Sequence, residues 1–195
     1  FANNRISQNV NKNVSNLHLL AEIDVSGNFL HIIPEALFGI PNIMTINISN
    51  NKISGFKVPK NTWLSLTHLD LSHNMLSELP LSLFEIVSIK VLLVSYNSIL
   101  SLQQHFDFLQ NLTKLDVSSN MLESLEELRK LDHLQSLYAS KNKIKCISHH
   151  FGGLKDLQEL QFDENPLEFP PIEVSSTGSQ NTLALMRQYF EGFTN

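Results

Sequence analysis

His68, Asp70 and His73 stand within six residues of one another, and two imidazoles with a carboxylate make a donor set that a zinc or similar divalent ion takes. Asp70 has a counterpart in Asp116, and a carboxylate pair is what general acid and base chemistry asks for. The asparagine periodicity of the chain puts those two carboxylates two repeats apart, about 9 to 10 Å at ordinary strand spacing. No nucleophile, base and orienting group gather beside them. Cys146, the single cysteine, sits between Ile144 and Ile147 at an outward position and carries no sequence signal for thiolate activation. His149-His150 reads as a solvated pair in a surface return. The sequence therefore assigns no catalytic residue, metal ligand or cofactor site, and the chemistry it offers is that of a binding surface.

What positions these residues is a periodicity. Asparagine recurs at Asn4, Asn28, Asn51, Asn74, Asn97, Asn120, Asn142 and Asn165, each time inside the same apolar frame. Around Asn74 the frame is Leu66, Leu69, Leu71, Leu76 and Leu79; around Asn120 it is Leu112, Leu115, Val117, Leu122 and Leu125. A unit of this length reading LxxLxLxxNxL resembles the leucine-rich repeat. The fold this implies is an α/β solenoid, a right-handed horseshoe with a parallel sheet on its concave face and a C-terminal capping helix.

Alternation at Leu69, Asp70 and Leu71 is the period of a strand with one face buried. Asparagine suits the turn that follows, because its amide both donates and accepts and can satisfy backbone groups left open there. After the turn each repeat returns along a second apolar series, such as Leu79, Leu83, Phe84 and Ile86, or Leu102, Phe106 and Leu109. The twelve phenylalanines read as structural on this pattern. The return from Phe56 to Leu66 is irregular, with Lys60 at an otherwise apolar position and Trp63 as a core filler, and the loop around Pro59 could bulge outward. The shortened repeat between Asn120 and Asn142 carries Leu122, Leu125, Leu128, Leu131 and Leu134, which predicts a more regular helical return there.

The repeats occupy residues 1–168. Phe1 stands where a strand residue stands in other repeats, so the chain is expected to open partway through a strand, with repeats or a cap before it. The rhythm stops after Asn165, and residues 169–195 are expected to form a cap whose helix carries Leu183, Met186, Phe190 and Phe193 at three- and four-residue steps. An amphipathic membrane helix is the rival reading, but its polar face holds one basic residue, Arg187.

A net charge of −5 without a Lys and Arg cluster argues against nucleic acid, and no run of 18 apolar residues predicts membrane insertion. One cysteine cannot close the ends of a solenoid with disulfides, which points to a reducing, cytoplasmic compartment. Three sequons, at Asn13, Asn47 and Asn111, pull the other way.

The ending Asn165-Pro166-Leu167, Pro170-Pro171, Gly178 and Tyr189-Phe190 resembles that of the intracellular, Ras-group repeats, which include Ras-suppressor proteins, repeat-linked adenylate cyclases and the Roco GTPase-kinases. The chain departs from that group in keeping the Leu-Pro dipeptide only as Ile33-Pro34 and Leu79-Pro80. Its shortened repeat is similar to those of the regulatory subunit of protein phosphatase 1. The resemblance implies binding rather than catalysis, with a small GTPase or a phosphatase as partner classes.

Outward strand positions can be read as columns across the sheet. They converge on His68, His73, Val91, Leu93, Tyr96, Lys114, Tyr138 and Lys141. Exposed apolar and aromatic residues in a polar surface point to a protein partner, although Val91 and Leu93 could also simply cover the sheet. The sequence thus predicts a non-enzymatic interaction scaffold for signalling. The alternative is the recognition or autoregulatory segment of a larger enzyme.

Overall fold

The structure, a computed structural model, describes residues 2–6, 13, 16–175 and 178–194. The seven frames from Asn28 to Asn165 each yield a three-residue strand: β1 Glu22–Asp24, β2 Thr45–Asn47, β3 His68–Asp70, β4 Val91–Leu93, β5 Lys114–Asp116, β6 Ser136–Tyr138 and β7 Glu159–Gln161. They form one parallel sheet in chain order, each pairing with the next in register, so that His68 faces Val91 and Val91 faces Lys114. The middle residue of every strand is buried, and its two neighbours are not.

Behind the sheet lies a continuous core. Leu71, Leu76, Leu83, Ile89, Leu92 and their equivalents in other repeats are sealed from solvent. Returns are short: one α-helical turn, α1 Glu35–Phe38, then 3-10 turns at Leu81–Glu85, Gln104–Phe108, Glu126–Leu128 and His149–Gly153. The shortened repeat corrects the expectation of a more helical return, for its Glu126–Leu128 turn is the briefest of these. Leu125, Leu128, Leu131 and Leu134 are all buried, and steps of three suit the three-residue turn of a 3-10 segment rather than an α-helix. Trp63 is buried, and its indole N–H donates to the Leu37 carbonyl at 2.9 Å. The return that holds it is irregular throughout.

The asparagines tie the turns together. Asn97 donates from Nδ2 to the carbonyls of Val94 and Ser95 in its own turn and of Leu71 in the preceding repeat. Its Oδ1 accepts from the Leu76 amide at 2.9 Å. Asn51, Asn74, Asn120, Asn142 and Asn165 repeat this pattern. Each amide therefore satisfies backbone groups of two successive turns, an arrangement no side chain lacking both donor and acceptor can copy.

Two of the phenylalanines depart from a core role: Phe29 and Phe108 are exposed. The end of the chain folds into α2 Ile172–Ser175 and α3 Ser179–Thr194. Leu183 and Met186 bury against the last repeat, while Ser179 Oγ accepts from the Leu160 amide and donates to its carbonyl. Arg187 donates to the Leu157 carbonyl. The helix thereby occupies polar groups of an edge strand that would otherwise invite further pairing. Phe1, the Asn13 sequon's Val14 and Ser15, and the side chain of Phe193 lie outside what the structure describes.

Candidate functional site

The concave sheet is built from the first and third residue of each strand and the turn just after it. In four repeats the third residue is Asp24, Asn47, Asp70 or Asp116, and its Oδ1 accepts from the backbone amide two residues on, in Ser26, Ser49, Ser72 and Ser118, at 2.8 to 3.0 Å. These are local turn caps. They give Asp70 and Asp116 a structural task and account for their repetition.

Leu93, Tyr138 and Gln161 stand at the same position in β4, β6 and β7 and break that rule. Leucine has no acceptor, and the Tyr138 hydroxyl turns instead to donate to the Glu159 carboxylate. That hydrogen bond holds the Glu159 carboxyl below the usual carboxylate range and pushes the Tyr138 hydroxyl up, because each partner is favoured in the state that keeps the bond. Lys114 lies over the Tyr138 ring at 5.1 Å, within the range where a ring face attracts a cation.

On the other side of Leu93, the rings of His73 and Tyr96 stack at 4.1 Å with 10° between their planes. Tyr96 remains 49% exposed. Both belong to a column with one backbone feature in common. Gly27, Asn50, His73, Tyr96, Ser119, Lys141 and Glu164 all have φ between 52° and 64°, the left-handed region that costs an L-residue about 1–2 kcal/mol. The chain must turn this way so that the following asparagine reaches inward. Sequence reading missed this conformation, because the residue types in the column share no chemistry.

The eight expected residues are thus neighbours on one face, in strands β3 to β6 and the turns after them. Val91 and Leu93 are half-buried at its centre. His68 engages Thr67, with Nδ1 and Oγ1 2.8 Å apart, and Lys141 pairs with Glu164 at 3.3 Å. Among the described residues no group of three His, Cys, Asp or Glu side chains is placed to hold a metal ion.

Two features of the returns also escaped the sequence. His149 and His150 stack on each other at 4.3 Å, and His150 lies edge-on to Phe190 of α3. They stand in the His149–Gly153 turn beside the cap, with the His150 side chain still 43% exposed. Exposed Leu81, Val87 and Phe108 with Phe84 and His105 surround a cavity of about 530 Å³ on the convex side. The exposed Phe108 is its sequence sign, since it follows Phe106 at a spacing that cannot bury both.

Comparison with known proteins agrees with this geometry. Leucine rich repeat family models match residues 65–85 and 87–144. Structurally the chain is similar to an LRR protein of Leptospira interrogans, with a TM-score of 0.72, 26% identity, and coverage of 88% of this chain and 50% of that one.

The fold is a leucine-rich repeat solenoid.

A second similar structure is TLR13 in its complex with ssRNA13, with a TM-score of 0.67 and 27% identity over 76% of this chain and 22% of that one. Among curated proteins, the flightless-1 homolog of Caenorhabditis elegans is 37% identical over 60 residues, which is 31% of this chain and 5% of that protein. This solenoid therefore spans half or less of the length of each relative. Leucine-rich repeats in general bind other proteins along an extended concave surface. No helix among the described residues is long and apolar enough to cross a membrane.

Proposed function

We propose that the solenoid is a non-enzymatic protein-interaction module whose partner docks on the concave face at His68, His73, Val91, Leu93, Tyr96, Lys114, Tyr138 and Lys141. One observation carries the reading: where four repeats place a polar turn cap, β4 places Leu93, which caps nothing and leaves apolar surface beside the exposed Tyr96. Substituting a leucine for a cap sacrifices a local hydrogen bond, and contact with a partner is what such a residue supplies. Tyrosine is a frequent centre of interface energy.

TLR13 is described in complex with ssRNA, but the concave face here does not favour that ligand. Its outward columns hold seven carboxylates and two lysines, and phosphate binding requires the reverse balance. A cytoplasmic setting is supported by the single cysteine, Cys146, in an exposed position. The partner classes are those the resemblances imply, a small GTPase from the cap sequence and a phosphatase from the shortened repeat. The second reading is the recognition or autoregulatory segment of a larger signalling enzyme; in its favour, the flightless-1 relative carries its matching stretch within a much longer protein, of which that stretch is 5%.

The test compares proteins retained by the wild-type chain, by a Leu93→Asn/Tyr96→Gly double variant and by a convex-face Phe108→Ser variant, with folding checked by circular dichroism. A partner kept by wild type and F108S but lost by the double variant supports the concave site. Equal retention by all three contradicts it.

A further inference from the structure

The concave face is unevenly charged along the solenoid. At one end β1 presents Glu22 and Asp24; at the other, β7 and its turn present Glu159, Asp163 and Glu164, all exposed. Between them lies the half-buried and aromatic strip of Val91, Leu93 and Tyr96. The two lysines on the face are both engaged, Lys114 with the Tyr138 ring and Lys141 with Glu164. Glu159 and Glu164 are themselves held by the Tyr138 hydroxyl and Lys141, and Asp70 and Asp116 beside Leu93 are half-buried turn caps, so the exposed charge left to meet a ligand is Glu22 and Asp24 at one end and Asp163 at the other, on either side of the apolar strip.

The spacing is symmetric. β4 is three strands from β1 and three from β7, about 14 Å each way at the usual strand separation of about 4.8 Å. An extended polypeptide advances about 3.3 Å per residue, so about four residues cover each half. Building on the concave-site reading above, we infer that the occupant of this face is an extended cationic polypeptide segment. It has an apolar or aromatic anchor over Leu93 and Tyr96 and a Lys or Arg about four residues to either side. Charge complementarity at the two ends sets orientation and encounter rate, and the anchor supplies the buried area. An acidic or uniformly apolar segment meets repulsion or unmatched carboxylates at the same ends.

The probes are nine-residue peptides on a Ser/Thr framework, with positions 1, 5 and 9 varied independently among Lys, Glu, Trp and Ser. Their binding to the intact chain is measured by fluorescence anisotropy at low and physiological salt. Lys-Trp-Lys is expected to bind best, and to weaken as salt rises. Glu22→Gln with Asp24→Asn, or Asp163→Asn, is expected to weaken it about 1.5-fold to fivefold per end, as exposed charge pairs do. Asparagine at 24 keeps the turn cap, as Asn47 does. Trp-dependent binding that is abolished by Leu93→Asn, yet indifferent to end charge, overturns this inference and leaves the concave site standing. Binding insensitive to Leu93→Asn, or no binding by any peptide, overturns the inference; the former also counts against the concave site.

Discussion

The His73 ring lies flat on the Tyr96 ring, centroids 4.1 Å apart, and both residues hold their backbones in the left-handed region at φ 54° and 53°. The turn geometry imposed by the asparagine ladder thus raises two aromatic side chains from adjacent repeats onto one side of the apolar strip. Their placement is a consequence of the repeat, and their identity is free to serve a partner.

Tyr96→Gly should separate folding from binding. Glycine removes a left-handed strain of about 1–2 kcal/mol and adds about 0.5–1 kcal/mol of unfolded-state entropy, while the ring stack is lost. Urea denaturation is expected to show stability within about 1 kcal/mol of wild type, with partner binding reduced at least tenfold.

Leu93→Asn should restore the cap found in the neighbouring repeats, its Oδ1 accepting from the Ser95 amide as Asn47 accepts from Ser49. A net hydrogen bond contributes about 0.5–1.5 kcal/mol, offset by the lost apolar contact of a half-buried side chain. Equilibrium unfolding is expected to show equal or slightly higher stability. A loss of more than about 2 kcal/mol would mean that Leu93 is there to cover the sheet.

Asn97→Ala removes donors to Leu71, Val94 and Ser95 and the acceptor for Leu76. Each backbone group left unsatisfied away from water costs about 1–3 kcal/mol, so a loss of about 3 kcal/mol or more is expected in chemical denaturation. An exposed loop asparagine would cost under about 0.5 kcal/mol.

Much of this is legible in the sequence. The ladder could be read because every repeat sets the same amide in the same apolar frame, and the concave columns followed from period-two alternation. The returns were less legible, since a leucine every third residue fits a 3-10 turn and an α-helix stripe alike over so short a span. The Tyr138 hydroxyl's choice of Glu159 is set by side-chain direction across neighbouring strands, which residue spacing does not encode. Gly152 gave no sign of its role either. A Cβ there would stand 2.3 Å from the Met186 carbonyl oxygen of α3, so the glycine exists to let the cap approach.

Gly152→Ala is therefore expected to push α3 off the last repeat. The obstructing atoms are backbone and cannot rotate away, and overpacking of this kind costs about 1–3 kcal/mol. Hydrogen exchange should show α3 and β7 losing protection while β2 to β5 keep theirs.

The Tyr138–Glu159 bond should leave a pH signature. The carboxyl is lowered on folding, so its contribution is present above the unfolded carboxylate value and is lost as pH falls through the folded one. The hydroxyl is raised, so its contribution is present below the ordinary tyrosine value and is lost as pH rises through the folded one. The stability difference between wild type and Tyr138→Phe is thus expected to be largest between the two ranges and to shrink at both extremes. Ultraviolet titration of Glu159→Gln should show Tyr138 ionising at lower pH than in wild type.

The central claim is that a protein partner sits on the apolar strip between the acidic ends of the sheet. A photoreactive phenylalanine analogue placed at position 93, and separately at position 108 on the convex side, tests it in the presence of the partner. Crosslinking at 93 that disappears when Tyr96→Gly is added, with none at 108, is the predicted result. Crosslinking at 108 with none at 93 would contradict it.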